Sequence, residues 1–293
     1  MICTNSGISD LQIRKGDVMR NNFSYKRLLL YLLIIGIFFL YLFPLLWQLS
    51  TSLKEGEEVF SGYNLIPKKL TWSNYEIAWS QFNVRKYLTN TIFVSGIIML
   101  GTLICCSMAG YAFGQLQFPG RDFLFFFYLG TMMVPQAVTL IPSYYIILRL
   151  NLANTFSGLI LPFFFGSAFG TFLLRQFYMT LSKDLFEAAT IDGAGYFQIW
   201  WKIMFPLSKP AVATLGVMTL VSQWNSLLWP LVITQSPALK VLAVGLSDFR
   251  LFRNIQWNSL MAAVIISILP MLIILFSAQK FFVKGIQFSG MNR

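Results

Sequence analysis

Few residues in this chain could do chemistry. Asp184, Glu187 and Asp192 gather in the polar stretch from Arg175 to Lys209, whereas the long apolar runs hold no Asp, Glu, Lys or Arg. Histidine is absent from all 293 residues, which removes the commonest general base and the commonest metal ligand together. Cys3 and the neighbours Cys105 and Cys106 form neither a disulfide framework nor a metal-ligand spacing, and the latter two read as packing residues in an apolar run. No phosphate-cradling GxxxxGK loop followed by Ser or Thr occurs. Triad catalysis, zinc catalysis and nucleotide binding by this chain are not expected, so it is assigned no catalytic residue, metal or cofactor.

The elements that hold those acids must live in lipid. The chain is 56% apolar and 11% charged, a balance that no water-soluble core of this size requires. Crossing about 30 Å of hydrocarbon takes about 20 apolar residues in a helix. Six charge-free windows meet that need: 28–48, 87–113, 123–147, 155–174, 210–234 and 258–279. They are too long and too evenly apolar for barrel strands, which alternate over about ten residues. The expected fold class is an all-α integral membrane protein with six transmembrane helices and a cytoplasmic helix-turn-helix. With both termini on one face, that face carries thirteen Lys and Arg against nine opposite, which puts the termini in the cytoplasm. The basic stretch 1–27 is read as a tail rather than a cleaved signal, because the following apolar run is longer than a signal core and lacks a small-residue cleavage site. A net charge of +11 then reflects loops facing anionic lipid, with no nucleic-acid partner. The spans also lack an ionisable group for proton coupling, so the energy for active transport would come from another polypeptide.

The stretch LSKDLFEAATIDGAGYFQIWWKIMFPLSKPA, from Leu181, is unlike a simple connector. Ser182 can cap a short helix whose early turns hold Asp184 and Glu187, with Leu185, Ala188 and Ala189 on one face. Gly193 and Gly195 break it as residues that tolerate positive φ. Tyr196, Ile199, Trp200 and Ile203 follow at helical spacing, and Pro206 stops the second helix before the fifth span. From the residues alone this is equally a docking element, with small alanines and the charges of Glu187 and Asp192 offered to a groove, or an interfacial pair resting on lipid.

The spacing Glu187-Ala188-Ala189, three residues, Gly193, nine residues, Ile203, one residue, then a large apolar residue and Pro206 resembles the EAA loop of binding-protein-dependent ABC importer permeases. Phe205 departs from it where Leu is usual. Other segments, among them FPLLWQLSTSLK at 43–54, the AGYAFGQLQFPGRD turn at 109–122, WNSLLWPLVIT at 224–234 and QKFFVKGIQFSG at 279–290, are similar to the carbohydrate-uptake branch, specifically its maltose-type six-span partner. The similarity runs from about residue 25 to the C-terminus.

That resemblance implies a basic tail 1–27, a first span with its outer loop at 28–86, a transporter domain at 87–285 with the coupling loop at about 182–206, and a tail 286–293. It implies a bacterial inner-membrane location and four kinds of partner besides membrane lipid: a homologous second permease, two ATPases carrying ATP and Mg, an extracytoplasmic solute-binding protein and a carbohydrate. Coupling would fall to Leu185, Phe186, Glu187, Ala188, Ala189, Asp192, Gly193, Gly195, Ile203 and Pro206. A sugar needs groups that pair with hydroxyls and flat faces to stack on, for which Gln136, Tyr144 and Tyr145 on span three and Gln223, Trp224, Asn225 and Trp229 on span five are candidates. Pro135, Pro142, Pro162, Pro230 and Pro270 would distort the spans. The outer face carries Lys54, Lys68, Lys69, Arg85, Lys86, Arg149, Lys240, Arg250 and Arg253 against five acids, Glu55, Glu57, Glu58, Glu76 and Asp248, which leaves an acidic oligosaccharide or sugar phosphate open as an alternative cargo. A stand-alone secondary transporter would need a coupling-ion site and a channel a selectivity loop; neither is evident.

Overall fold

The structure, a computed structural model, describes residues 24–61, 64–249 and 256–290. Most of the basic tail, with Cys3, lies outside the described residues, as do Arg250, Arg253 and 291–293. In chain order the main helices are α1 (Ser24–Ser52), α2 (Val84–Gln115), α3 (Arg121–Gly130), α4 (Gln136–Arg149), α5 (Phe156–Phe164), α6 (Ala168–Met179) and α7 (Lys183–Ile191). There follow α8 (Tyr196–Ile199), α9 (Lys209–Trp224), α10 (Leu228–Ile233), α11 (Leu242–Asp248) and α12 (Trp257–Gly290). No strand occurs among the described residues.

Among the described residues, only α1, α2 and α12 contain single uninterrupted segments long and apolar enough to cross a membrane. The other expected spans are broken. The third turns by 100° between Arg121–Met133 and Gln136–Arg149. Pro135 disfavours helix at the residue before it, and Val134 and Pro135 are both extended, with ψ of 117° and 137°. The fourth bends by 41° between α5 and α6. Gly166 makes that turn at φ +93°, where a Cβ would lie 2.5 Å from Cys106 Sγ. The fifth is α9, which spans only about 24 Å at 1.5 Å per residue and is continued by α10 after a break at 225–227. Pro230 adds to that break, since its missing N–H leaves the Ser226 carbonyl without its helical partner. A further bend of 79° separates Tyr196–Leu207 from α9.

Helix α2 is the central pillar and packs against α5, α6, α9 and α11. Its glycines let the neighbouring backbone come close: a Cβ on Gly101 would stand 2.6 Å from the Phe164 carbonyl oxygen, and one on Gly110 would stand 2.9 Å from the Arg175 nitrogen. Cys106, buried in this seam, accepts from the Ser167 N–H at 3.4 Å. Helix α1 lies along α12, and its outward apolar side chains are exposed within the chain. Its C-terminal end is pinned by Asn74, whose Nδ2 donates to the carbonyls of Ser52 and Lys54 at 2.9 Å each and whose Oδ1 accepts from Asn258 Nδ2 at 2.8 Å.

Candidate functional site

Two regions gather the residues singled out above. The first is the segment between α6 and α9. Ser182 caps α7 by accepting from the Asp184 N–H at 3.2 Å. Gly193 ends the helix at φ +79° with open space around it, the left-handed residue that a Cβ would penalise. Gly195 does not share that role: it is extended at φ −71°, ψ 158° and begins α8. Nor do Leu185, Ala188 and Ala189 form one face. Phe186 and Ala189, three residues apart, turn inward to a core of Tyr111, Tyr178, Ile199, Trp200 and Met204, while Leu185, Glu187, Ala188, Ile191 and Asp192 are exposed. Pro206 does not stop the second helix. It sits inside a helical turn, Phe205–Leu207, reached through a π-turn over Trp200–Met204, and the chain breaks at Ser208. A widened turn of this kind accommodates a proline whose N–H cannot serve the preceding turn. Ile203 is half-buried against the same core.

This helix pair is tied to the membrane helices by committed polar groups. Trp200 Nε1 donates to Ser107 Oγ on α2 at 3.1 Å. The hydroxyl of fully buried Tyr178 on α6 lies 3.1 Å from Ser208 Oγ at the elbow into α9. Gln115 Nε2 donates to the Tyr178 carbonyl at 2.5 Å, and Arg175 Nε donates to the Phe113 carbonyl at 3.1 Å. The Tyr111 hydroxyl alone has no partner in this buried layer. Phe186 stacks on Tyr196 at 6.3 Å and 5°, which joins the two short helices into one piece. Helix α7 joins this layer by packing: Phe186 and Ala189 share one core with Tyr111 of α2, Tyr178 of α6 and Ala211 and Leu215 of α9.

The second region is a cavity of about 690 Å³ between α2, α4, the α5–α6 turn, α9 and α10. None of its lining residues is charged. Gln136, Gln223, Asn225 and Trp229 line it as candidates from the sequence. Trp229 is nearly buried and donates its Nε1 hydrogen to the Gly158 carbonyl at 3.1 Å, so only part of its ring faces the space. Trp224 points elsewhere, into a core with Tyr87, Leu242 and Leu260. Tyr144 packs against the core around Ile147 and Leu159, and Tyr145 is exposed and accepts from Arg149 Nε at 2.8 Å. None of these three lines the cavity. Thr219, Ser222 and Ser226 line it and were not singled out from sequence. With Gln223 they form a polar stripe at helical spacing on and just beyond α9, a pattern legible in an otherwise apolar span.

Residues 106–288 match the family model for the binding-protein-dependent transport system inner membrane component. The chain belongs to this family. The matched stretch contains the α7–α8 unit and almost all of the cavity wall. Among individual relatives, the sn-glycerol-3-phosphate transport system permease protein UgpE of Yersinia pestis is 34% identical over 87% of this chain and 93% of its own length. The arabinooligosaccharides transport system permease protein AraQ of Bacillus subtilis is 33% identical over 92% of this chain and 97% of its own. A chain from the crystal structure of a bacterial ABC transporter involved in importing the acidic polysaccharide alginate superposes with a TM-score of 0.80, at 26% identity, over 88% of this chain and 98% of that one. A chain from the alginate transporter bound to its pentasaccharide-loaded periplasmic protein has a TM-score of 0.63 at 16% identity, a likeness of fold alone. This permease is thus a membrane-embedded transport component.

Proposed function

We propose that this permease forms half of the translocation pathway of an ATP-binding-cassette importer for a sugar or oligosaccharide. It lies in a bacterial inner membrane with both termini cytoplasmic, beside a homologous second permease. A solute-binding protein delivers cargo from outside. Two separate ATPases bind ATP and Mg and hydrolyse the nucleotide, so this chain needs no cofactor of its own. The carbohydrate assignment draws on the resemblance of the sequence to the carbohydrate-uptake branch and on the named cargoes of the relatives.

The observation that carries the coupling role is the α7–α8 unit, which exposes Leu185, Glu187, Ala188 and Asp192 on one side and on the other packs through Phe186, Ala189 and Ile199 into a core shared with α2, α6 and α9, with the adjoining Trp200 bonded to Ser107 of α2. An ATPase that seats on the exposed side moves three membrane helices at once. Each state of such an alternating-access cycle must be favoured by a different ligand, and ATP at the partner subunits supplies that difference.

Replacing Glu187 by Ala tests the reading, with uptake and ATPase co-purification measured in the same cells. Loss of uptake and weakened ATPase association, with membrane insertion retained, is the expected result. Normal uptake with a full ATPase complement would contradict the coupling role.

A further inference from the structure

The cavity holds more hydrogen-bonding capacity than the fold uses. Among the described residues, the side chains of Gln136, Thr219, Ser222, Gln223 and Ser226 line it without a protein hydrogen-bond partner. Along α9 they begin about ten residues beyond Lys209, roughly 15 Å up the helix at 1.5 Å per residue, deep within the apolar span. A free amide or hydroxyl at that depth is tolerable where water or a ligand can reach it. Two amides and three hydroxyls supply both donors and acceptors, which is what a dense array of ligand hydroxyls requires.

Charge is the second half of the argument. No Lys or Arg lines the cavity, and an anion brought into a low-dielectric site without a cation loses its hydration uncompensated. Among the described bases of the outer face, Arg85 and Lys86 are exposed on the first turn of α2 and lie outside the cavity lining, and the other five are engaged elsewhere. Lys54 is 1% exposed, with its ammonium 5.0 Å from the Trp47 ring. Lys240 is paired with Asp248 at 2.6 Å. Arg149 is held by Tyr145, and Lys68 and Lys69 share a surface hollow with Glu55, Glu57 and Glu58.

Resting on the importer reading above, we infer that this subunit's cavity contacts an uncharged, hydroxyl-rich saccharide and selects against anionic sugars. In this the permease parts from the cargoes named for UgpE and for the alginate transporter. Gln136 and Gln223, which approach the space from α4 and α9, are the residues that read the hydroxyls.

The test uses the host cells with the gene for this chain deleted and then restored. Labelled maltotriose, arabinotriose and raffinose serve as uncharged probes; trigalacturonate, glucose 6-phosphate and sn-glycerol 3-phosphate serve as anions. Uptake that disappears on deletion and returns on restoration is expected only among the uncharged probes. A restored anion would overturn the inference while leaving the importer reading in place, whereas no restored probe of either class would overturn both. In a second arm, Gln136→Leu and Gln223→Leu are expected to lower restored uptake at least tenfold with the complex still assembled by native mass spectrometry. Wild-type uptake in both variants would remove the cavity as the contact site.

Discussion

At the end of this permease that carries α7 and α8, Trp200, Tyr178, Gln115 and Arg175 all direct their polar atoms to protein partners. Toward the C-terminal end of α9, Thr219, Ser222 and Gln223 direct theirs to none among the described residues. Both regions belong to the same bundle and both include α9, yet one is knitted and the other left open. Under the function proposed above, the difference fits their tasks: a region that passes on motion gains from committed contacts, while a region that handles a changing cargo must keep its hydrogen bonds available. The backbone shows the same contrast. Around the cavity the spans are interrupted at Val134–Pro135, at Gly166 and after Trp224, where backbone irregularity can face a water-accessible space.

The largest effect that would break this contrast is at Gly193. Gly193→Val places a β-branched residue at φ +79°, costing about 1–2 kcal/mol from conformation alone, and should abolish uptake by misdirecting α7; transport assays and ATPase co-purification check it. Gly110→Leu forces a side chain against the Arg175 backbone across the α2–α6 seam. An overpacking cost of about 1–3 kcal/mol should appear as a lower melting temperature in detergent and reduced yield. Trp200→Phe keeps the ring but removes the bond to Ser107, a loss of about 0.5–1.5 kcal/mol, and should lower uptake partially without lowering insertion. The smallest change sharpens the comparison. Because the Tyr111 hydroxyl is buried without a partner, Tyr111→Phe should leave the melting temperature unchanged or raise it; a clear drop would show that the hydroxyl is bonded in the working protein.

Much of this was legible in the sequence, for identifiable reasons. Charge-free windows located the membrane segments because lipid excludes charge, and Ser182, Gly193 and the EAA spacing marked α7 because caps and left-handed residues are local chemistry. Apolarity could not show where a span bends. The 100° turn at Pro135 and the break after Trp224 depend on how neighbouring helices fill space. Helical phase was the weaker guide within the coupling segment: Ala188 and Ala189 are adjacent in sequence, yet only Ala189 meets the core of Tyr178 and Trp200. For the same reason Trp224 looked like a sugar platform beside Gln223, and its facing was settled only by its packing against Leu242 and Leu260. The polar stripe of Thr219, Ser222 and Ser226 was available to the eye, but hydroxyls in an apolar helix also bond backward to their own backbone, so only the structure shows them lining a cavity.

The most direct measurement is native mass spectrometry of the tagged chain, extracted gently from its own cells with no partner added. A complex with one homologous permease and two ATPase copies is the predicted result. A lone chain or a homo-oligomer under several mild detergents would contradict it and reduce the α7–α8 unit to a surface element.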